Sequence, residues 1–368
     1  MIGLVDRRVG QWAPVWILLG ACGGGAETAE PVASTPSTGA EVAPAAGDVA
    51  TTSATPQVAA GREHSCALNA DGEVECWGSN EYGQTKALGG SYTQVCVGTL
   101  HTCALDTKGS VDCWGFNGND RAKPPAETFT VISCGGDHNC GLTEDGRVVC
   151  WGNDEDGESQ APAGNFTQVS AGGDLSCAIA TDGTARCWGK GVNGETTAPA
   201  GTFTRVAAGG DHACALDAEG VAHCWGSDKY GQLKAPADKF VSISAGGRHT
   251  CGLREDGNAV CWGAGTEGAT GFPNWGQAAP PAGRAWTQVS AGDAHSCGMQ
   301  GDGHVMCWGS DGNGRATPTL MFAEAGAEAP KTAAPAPREG SRAAVPKSSL
   351  GRLPDVKPDD AAKKLELR

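Results

Sequence analysis

Apolar and polar residues alternate in a short pattern whose clearest copy is the stretch 60–78, AGREHSCALNADGEVECWG. Alternation with a period of two is typical of β-strands, so the pattern predicts one strand on each side of its Asp-Gly step. A three-residue turn ending at the glycine suits this step, because glycine adopts the left-handed backbone conformation without steric strain. The resulting hairpin places Leu68 opposite Val74 and Cys66 opposite Cys76.

A third apolar segment lies upstream of each hairpin and is clearest at 166–173, FTQVSAGG. It predicts one more short strand. The sheet would then carry Leu68, Val74 and the sulfurs on one face and Trp77 on the other. Such a sheet cannot bury both faces alone, so it needs a neighbour on each side. The apolar residue that marks the added strand in successive copies is Val58, Val95, Ile132, Val169, Val206, Ile243 and Val289.

The hairpin recurs seven times, with a period of 37 residues and one insertion of nine residues before the last copy. A fixed period of this length is typical of stacked or radial repeats. Sheets packed face to face around an axis bury both faces of every sheet. We therefore predict an all-β fold, a seven-bladed β-propeller of 37-residue repeats that extends over residues 58–322.

The repeat carries a motif of three parts, which are Ala-Gly-x-x-His-Ser/Thr-Cys-Ala-Leu, then Asp-Gly-x-Val, then Trp-Gly. This motif resembles the repeat of the regulator of chromosome condensation family, and the resemblance extends from Val58 to about Phe322. It implies a seven-bladed propeller and, by analogy with eukaryotic members, guanine-nucleotide exchange. The shorter period and the blade cysteines make this chain more similar to bacterial members such as the β-lactamase-inhibitory propeller protein. No segment stands out as an equivalent of the exchange-factor contact loops.

Each hairpin has one cysteine in each of its two strands. Directly opposed residues of a non-hydrogen-bonded pair have Cβ atoms close enough for a disulfide, so we predict one disulfide within every blade. The predicted pairs are Cys66 with Cys76, Cys103 with Cys113, Cys140 with Cys150, Cys177 with Cys187, Cys214 with Cys224, Cys251 with Cys261, and Cys297 with Cys307.

Two further cysteines, Cys96 and Cys134, lie in the first strands of repeats two and three. They precede the first hairpin cysteine of their repeats by seven and six residues, so their side chains point to opposite sheet faces. Facing surfaces of neighbouring blades are also opposite faces, so the two sulfurs can form a disulfide between blades. Two buried free thiols are the alternative. A chain with 17 cysteines in 368 residues is typical of an oxidising compartment.

The N-terminus has the features of an export signal. Arg7 and Arg8 precede an apolar stretch, 15–21, that is too short to span a bilayer. The following Leu-Gly-Ala-Cys sequence looks like a bacterial lipobox. We predict a lipoprotein signal peptide over 1–21 and lipidation of Cys22, and an ordinary signal peptide is the alternative.

The segments that flank the predicted propeller have little to bury. Residues 22–57 are rich in Ala, Thr and Pro and predict a flexible linker, and residues 323–368, rich in Ala, Pro and Lys, predict a disordered tail. Together with the lipid anchor, these features predict a cell-envelope protein at the periplasmic or cell-surface face of the outer membrane. The anchor is the only membrane contact that we expect.

Six histidines share one repeat position, two residues before the first hairpin cysteine, and Leu175 replaces them in the remaining copy. Zinc–nitrogen bonds are about 2 Å long, so imidazoles in different blades are too far apart to share one ion. We expect each imidazole to bond a backbone group, in the same way in each blade. The six are His64, His101, His138, His212, His249 and His295.

The other candidates for chemistry are weak. The paired cysteines are too widely spaced for a structural zinc site. The acidic loops at 153–157 and 311–314 lack the ligand alternation of a calcium loop. No nucleophile, base and carboxylate grouping occurs outside the repeat pattern. We therefore predict no metal, no cofactor and no enzymatic activity.

The charge of the predicted propeller disfavours nucleic acid as a partner. Residues 59–322 contain 16 Lys and Arg against 30 Asp and Glu, a net charge of −14. A nucleic-acid surface needs the opposite sign. The sequence therefore favours another protein as the partner.

Aromatic residues in the rim loops are the binding candidates. Phe272 and Trp275 lie in the insertion, and Trp275 falls outside the repeat register; Tyr82 and Tyr230 follow Trp-Gly steps. Exposed aromatics on a rigid scaffold are common interface anchors, although Trp275 folded back on its own loop is an equal alternative. We predict a non-catalytic protein-binding or scaffold propeller. An inhibitor of an envelope enzyme such as a β-lactamase, and an exchange-factor-like regulator, are the alternative functions.

Overall fold

The computed structural model describes residues 54–269 and 271–318. The predicted signal peptide, the lipidation residue Cys22, most of the predicted linker and the predicted tail lie outside these residues. No helix in the described ranges is long and apolar enough to cross a membrane.

Twenty-one strands form seven antiparallel sheets of three strands each, and each sheet is built from one repeat. This confirms the predicted all-β propeller with seven blades. In chain order the blades contain β1 (Gln57–Ala60), β2 (His64–Leu68) and β3 (Val74–Gly78); β4 (Tyr92–Val97), β5 (His101–Asp106) and β6 (Val111–Gly115); β7 (Val131–Cys134), β8 (His138–Leu142) and β9 (Val148–Gly152); β10 (Phe166–Ala171), β11 (Leu175–Ala180) and β12 (Ala185–Gly189); β13 (Arg205–Ala208), β14 (His212–Leu216) and β15 (Ala222–Gly226); β16 (Ser242–Ala245), β17 (His249–Leu253) and β18 (Ala259–Gly263); β19 (Trp286–Ala291), β20 (His295–Gln300) and β21 (Val305–Gly309). Two short 3₁₀ helices, Gly118–Asp120 and Gly312–Gly314, lie in loops.

The hairpin of blade 1 has the predicted register. Cys66 pairs with Cys76 and Leu68 with Val74. The turn closes through a hydrogen bond from the Gly72 N–H to the Asn69 carbonyl at 3.1 Å. Gly72 has a φ of 83°, a conformation that a side chain would strain. The Asp-Gly step therefore sets the register that brings the two cysteines together.

Neighbouring blades bury opposite faces against each other. The face of blade 1 that carries Cys66 and Leu68 packs on Tyr92 and Val95 of blade 2. The opposite face, which carries Trp77, packs on Met299 of blade 7. The same contact therefore links consecutive blades and closes the propeller between its last and first repeats.

Closure needs no strand exchange, because β1 to β3 complete blade 1 by themselves. The segment 317–322 after the last blade is therefore not needed to complete blade 1. Thr317 and Pro318 form no strand, and the rest of that segment lies outside the described residues.

Glutamine side chains connect the first strands of several neighbouring blades. Gln94 Nε2 donates to the Ile132 carbonyl at 2.8 Å, and Gln94 Oε1 accepts from the Ile132 N–H at 2.9 Å. Equivalent glutamines bond the next blade's backbone from blades 1, 4 and 7, through Gln57, Gln168 and Gln288.

Serine hydroxyls make a second connection between first strands, two residues after the position that the glutamines occupy. The Ser170 Oγ accepts a hydrogen bond from the Ala208 N–H at 3.0 Å. The same bond is made by Ser133 to Ala171, by Ser244 to Ala291 and by Ser290 to Ala60. Blade 2 has Cys96 at this position, and blades 1 and 5 have Ala59 and Ala207.

Candidate functional site

The loops that follow each Trp-Gly step lie at one end of the propeller, which we call the loop face. His64 at the start of β2 pairs with Gly78 at the end of β3, and the Ser79 N–H donates to the Glu63 carbonyl at 3.0 Å. The loop after β3 therefore lies beside the turn between β1 and β2. The hairpin turns lie at the other end, the hairpin face.

Each loop is held by a bond to the following blade. The Gln84 carbonyl accepts from Trp114 Nε1 and from Thr102 Oγ1, both at 2.9 Å. The last loop closes the propeller in the same way, because the Arg315 carbonyl accepts from Trp77 Nε1 at 3.0 Å and from Ser65 Oγ at 3.1 Å. The tryptophan of every Trp-Gly step makes this bond, which fixes the loops on a rigid frame.

Three of the four predicted binding residues share one loop position. Each lies two residues before a buried glutamine whose Oε1 accepts from the aromatic residue's own N–H. The pairs are Tyr82 with Gln84 at 2.9 Å, Tyr230 with Gln232 at 2.7 Å, and Trp275 with Gln277 at 2.8 Å. The expectation that Trp275 lies outside the repeat register is therefore wrong. Eight of the nine extra residues are accommodated before Trp275, so it returns to the position that Tyr82 has in blade 1.

The insertion presents an aromatic and cationic cluster, which we call the Arg248 cluster. Phe272 and Trp275 contact edge to face with ring centroids 5.4 Å apart, and their side chains are 74% and 41% exposed. The Arg248 guanidinium lies 5.6 Å from the Phe272 ring centroid and 5.9 Å from that of Tyr230. Trp275 thus packs on Phe272 of its own insertion loop while it stays 41% exposed, and the cation holds Phe272 beside Tyr230.

A second aromatic pair lies on the loop face between blades 1 and 2. Tyr82, which is 48% exposed, has its ring centroid 5.0 Å from that of Phe116, and Arg121 lies 5.0 Å from the Phe116 ring centroid. Sequence reasoning missed Phe116. Its signal was available, because it directly follows Trp114-Gly115 at a place where the other repeats have small or polar residues.

The loop face between these aromatic groups is acidic. Asp154, Glu155 and Asp156 are exposed in the loop after blade 3. Asp174 pairs with Lys190 at 3.1 Å, which raises the pKa of that lysine. The exposed acids outnumber their cationic partners, so this part of the face attracts positive charge.

The six repeated histidines are buried between blades, and the expectation that they bond backbone groups is wrong. His64 Nε2 bonds Thr102 Oγ1 of blade 2 at 2.7 Å. Since Thr102 Oγ1 donates its own proton to the Gln84 carbonyl, the imidazole is the donor of this bond. The corresponding partners of His101, His138, His212, His249 and His295 are Asn139, Ser176, Thr250, Ser296 and Ser65.

Burial keeps these imidazoles neutral. Desolvation lowers the pKa of His64, His249 and His295 to about 3 and the pKa of His101, His138 and His212 to about 4. Leu175 replaces histidine in blade 4, and its partner position in blade 5 is Ala213, so an apolar contact replaces the polar one there. The histidines therefore join blades and are not available at the surface.

The cysteine pairs expected from the sequence come together. The structure has a disulfide within each of the seven blades and an eighth between Cys96 and Cys134. Of the two alternatives for the latter cysteines, the structure contains the disulfide between blades. Disulfides on this scale indicate an oxidising, non-cytoplasmic location.

The fold and the loop face thus define a disulfide-linked propeller with one aromatic-rich end. The chain belongs to the family described as the Regulator of chromosome condensation (RCC1) repeat. The model of this family matches residues 57–84, 92–121, 129–158, 166–195, 203–232, 240–269 and 286–315.

Solved propellers show the same fold. The ectodomain of the receptor kinase CR4 from Physcomitrella patens is 27% identical, with 69% of this chain and 73% of that chain covered and a TM-score of 0.59. The ectodomain of the Arabidopsis thaliana receptor kinase ACR4 is 23% identical, with coverages of 68% and 96% and a TM-score of 0.57. Prp20p from Saccharomyces cerevisiae, described with its binding to Gsp1p and histones, is 18% identical, with coverages of 64% and 80% and a TM-score of 0.55. No curated protein matches the chain.

Proposed function

We propose that this protein is a non-catalytic binding or scaffold propeller that engages a protein partner through its loop face. The observation that carries this proposal is the gathering of Tyr82, Phe116, Tyr230, Phe272 and Trp275 at one end of the molecule. Aromatic residues and arginine are enriched among the residues that dominate protein interfaces. The frame that presents them is buried and hydrogen-bonded, so little conformational entropy is lost when a partner binds.

The charge of the loop face selects among partners. The acidic loop at 154–156 repels phosphate groups and favours a protein with a basic patch. Phe272 is the most exposed of these aromatic residues, with an exposed fraction of 74%, and fits an apolar pocket of the partner. Inhibition of an envelope enzyme such as a β-lactamase would be one form of such binding.

We place the protein in the cell envelope, anchored by lipid on Cys22. The eight disulfides support an oxidising compartment. The similarity to the CR4 ectodomain is consistent with a propeller on the outer side of a membrane. A cytosolic exchange factor would need reduced cysteines and access to the nucleotide pool, so this alternative is less favoured. The Cys22→Ser variant should be lost from the membrane fraction. Its intact mass should show that no lipid is attached.

Site-specific photo-crosslinking in the native envelope tests the binding face. A crosslinking residue at Phe272 should capture one discrete protein. The same residue at Val241, which is 47% exposed at the hairpin face, is the matched control and should not capture it. Equal capture from both positions, or none from Phe272, would contradict the proposed face.

The affinity for the captured partner then measures how much the aromatic side chain of Trp275 contributes to binding. Trp275→Ala should weaken binding by about 2 kcal/mol, roughly 30-fold in Kd, because a central aromatic anchor is lost. Val241→Ala should leave Kd unchanged. Isothermal titration with the purified partner provides the measurement, and an unchanged Kd for Trp275→Ala would remove it from the interface.

A further inference from the structure

The disulfide between Cys96 and Cys134 differs in position from the other seven. It links β4 of blade 2 to β7 of blade 3, whereas each of the others closes a hairpin. Cys96 and Cys134 occupy the repeat positions that Ser170 and Ala208 have at the junction between blades 4 and 5, where the Ser170 hydroxyl accepts a hydrogen bond from the Ala208 N–H. A covalent link therefore stands where four other junctions have one hydrogen bond.

Access to this disulfide is from the central channel. Cys96 and Cys134 are partly exposed and line the channel together with Gln94 and Ser133. In each blade disulfide the first cysteine is at most 1% exposed and packs between two sheets, whereas the second, in the third strand of the blade, is partly exposed. A small thiol that enters the channel therefore meets the disulfide between blades before it meets a blade disulfide.

A blade disulfide lies directly beside it. Cys96 is the cross-strand partner of Cys103, which in turn is the partner of Cys113. The Cys103 and Cys134 sulfurs and a ring nitrogen of His101 all lie within 4.8 Å of one another. Four sulfurs thus form a continuous group from the channel wall to β6, the third strand of blade 2. Among the described residues, no other group of cysteine and histidine ligand atoms is as compact.

We propose that Cys96, Cys134, Cys103 and Cys113 form a thiol–disulfide exchange site that an external small thiol enters through the central channel. The external thiolate attacks Cys96 Sγ, the Cys96–Cys134 bond breaks, and Cys134 leaves as a thiolate. This thiolate attacks Cys103 Sγ and displaces Cys113, which takes up a proton from solvent. The second step exchanges one disulfide for another without net oxidation, and the external thiol stays bound to Cys96 until a second thiol removes it.

The physical basis is proximity. Exchange rates depend on access to the attacked sulfur and on the supply of thiolate beside it. The first requirement is met by the channel and the second by release of Cys134 next to Cys103. The six blade disulfides outside this group have no further cysteine beside them in the described residues, so they lack an internal attacking thiol.

Stepwise reduction of the full, oxidised chain tests the proposal. Dithiothreitol is added under native conditions, the reaction is stopped by acid, free thiols are alkylated, and peptides are identified by mass spectrometry. Cys96 and Cys113 should be alkylated at least about tenfold faster than the cysteines of the other six blades, whereas Cys134 should stay protected because it is bonded to Cys103. A digest at an early time should also contain the exchanged Cys103–Cys134 disulfide. Equal rates for Cys96 and Cys177, or no exchanged disulfide, would overturn the proposal.

Two variants separate exchange from simple exposure. Cys96→Ser leaves the Cys134 thiol beside Cys103, so Cys113 should become alkylated without any added reductant. The double variant Cys96→Ser with Cys134→Ala copies the natural Ser170 and Ala208 pair and keeps the junction hydrogen-bonded. In that variant Cys113 should be as protected as Cys187. Protection of Cys113 in the single variant would contradict the second step, and the wild-type time course still tests the first if this variant fails to fold.

Discussion

The junction between blades 2 and 3 and the junction between blades 5 and 6 have the same apolar contacts but unequal polar ones. At the first, Gln94 bonds both backbone groups of Ile132, and Cys96 is bonded to Cys134. At the second, Arg205 and Ala207 occupy the positions of that glutamine and cysteine, and neither makes an equivalent bond in the described residues.

The comparison shows which interactions of the repeat are the same at both junctions. Phe240 and Trp262 pack on Leu216 between blades 5 and 6, as Phe129 and Trp151 pack on Leu105 between blades 2 and 3. Apolar packing is thus common to both junctions. The links along the channel vary, so we expect local opening to begin between blades 5 and 6.

Reduction of the disulfides should change the stability of the propeller, and the difference between the two junctions, more than any other test. Each hairpin disulfide closes a short loop and stabilises by about 2 to 3 kcal/mol on chain-entropy reasoning, although such contributions are not strictly additive. We expect excess reductant to lower the unfolding midpoint strongly and to remove the covalent advantage of the junction between blades 2 and 3. Scanning calorimetry with and without reductant measures the shift, and an unchanged midpoint would show that the disulfides do not stabilise the fold.

Acid should weaken most junctions through the buried histidines. Their folded pKa values of about 3 to 4 lie below the ordinary value near 6.5, so the unfolded chain binds more protons between these limits. The contribution of the neutral histidines to the free energy of unfolding should be fully present above about pH 6.5 and should be lost as the pH drops toward 4. At pH 5 the loss is about 2 kcal/mol per histidine. Denaturant titrations at several pH values measure this slope.

A natural exception gives the control for the acid effect. Leu175 and Ala213 replace the histidine and hydroxyl pair between blades 4 and 5. The double variant His212→Leu with Thr250→Ala copies this pair between blades 5 and 6. The pH dependence of its free energy of unfolding should be smaller than that of the wild type, by the contribution of one histidine. A slope equal to that of the wild type would show that His212 is not kept neutral in the fold.

Adding the missing channel links should have the smallest effect. Arg205→Gln with Ala207→Ser installs the pattern of Gln168 and Ser170 between blades 5 and 6. Each new hydrogen bond is expected to stabilise by about 1 kcal/mol. Amide hydrogen exchange in β13 and β16 should slow, and exchange in β4 and β7 should not change. Unchanged exchange in β13 and β16 would mean that opening does not start at this junction.

Local chemistry explains why the blade could be predicted so fully. The Asp-Gly turn determines which residues oppose each other, so Cys66 and Cys76 follow from a few residues of sequence. The period then counts the blades, because each repeat has two apolar faces that require neighbours. Tyr82 and Tyr230 follow from the same repeat, since they lie in the loops after its Trp-Gly steps, whereas Phe272 and Trp275 were found through the insertion.

Contacts between repeats were predicted less well. The partner of each histidine lies one blade away, so the imidazole of His64 bonds the Thr102 hydroxyl and not a backbone group. The insertion also concealed the equivalence of Trp275 and Tyr82, because counting residues cannot show where added residues are accommodated. Only Gln277, buried beneath Trp275 as Gln84 is beneath Tyr82, reveals it.

The sequence by itself determined the hairpin, the number of blades and the cysteine pairs within blades, because all three depend on turn chemistry and on a period. Tertiary structure decided that Cys96 meets Cys134, that Phe116 stacks with Tyr82 and that Arg248 lies between Tyr230 and Phe272. These contacts join side chains of different blades or loops. Their geometry depends on how neighbouring sheets are placed around the axis, which no single repeat specifies.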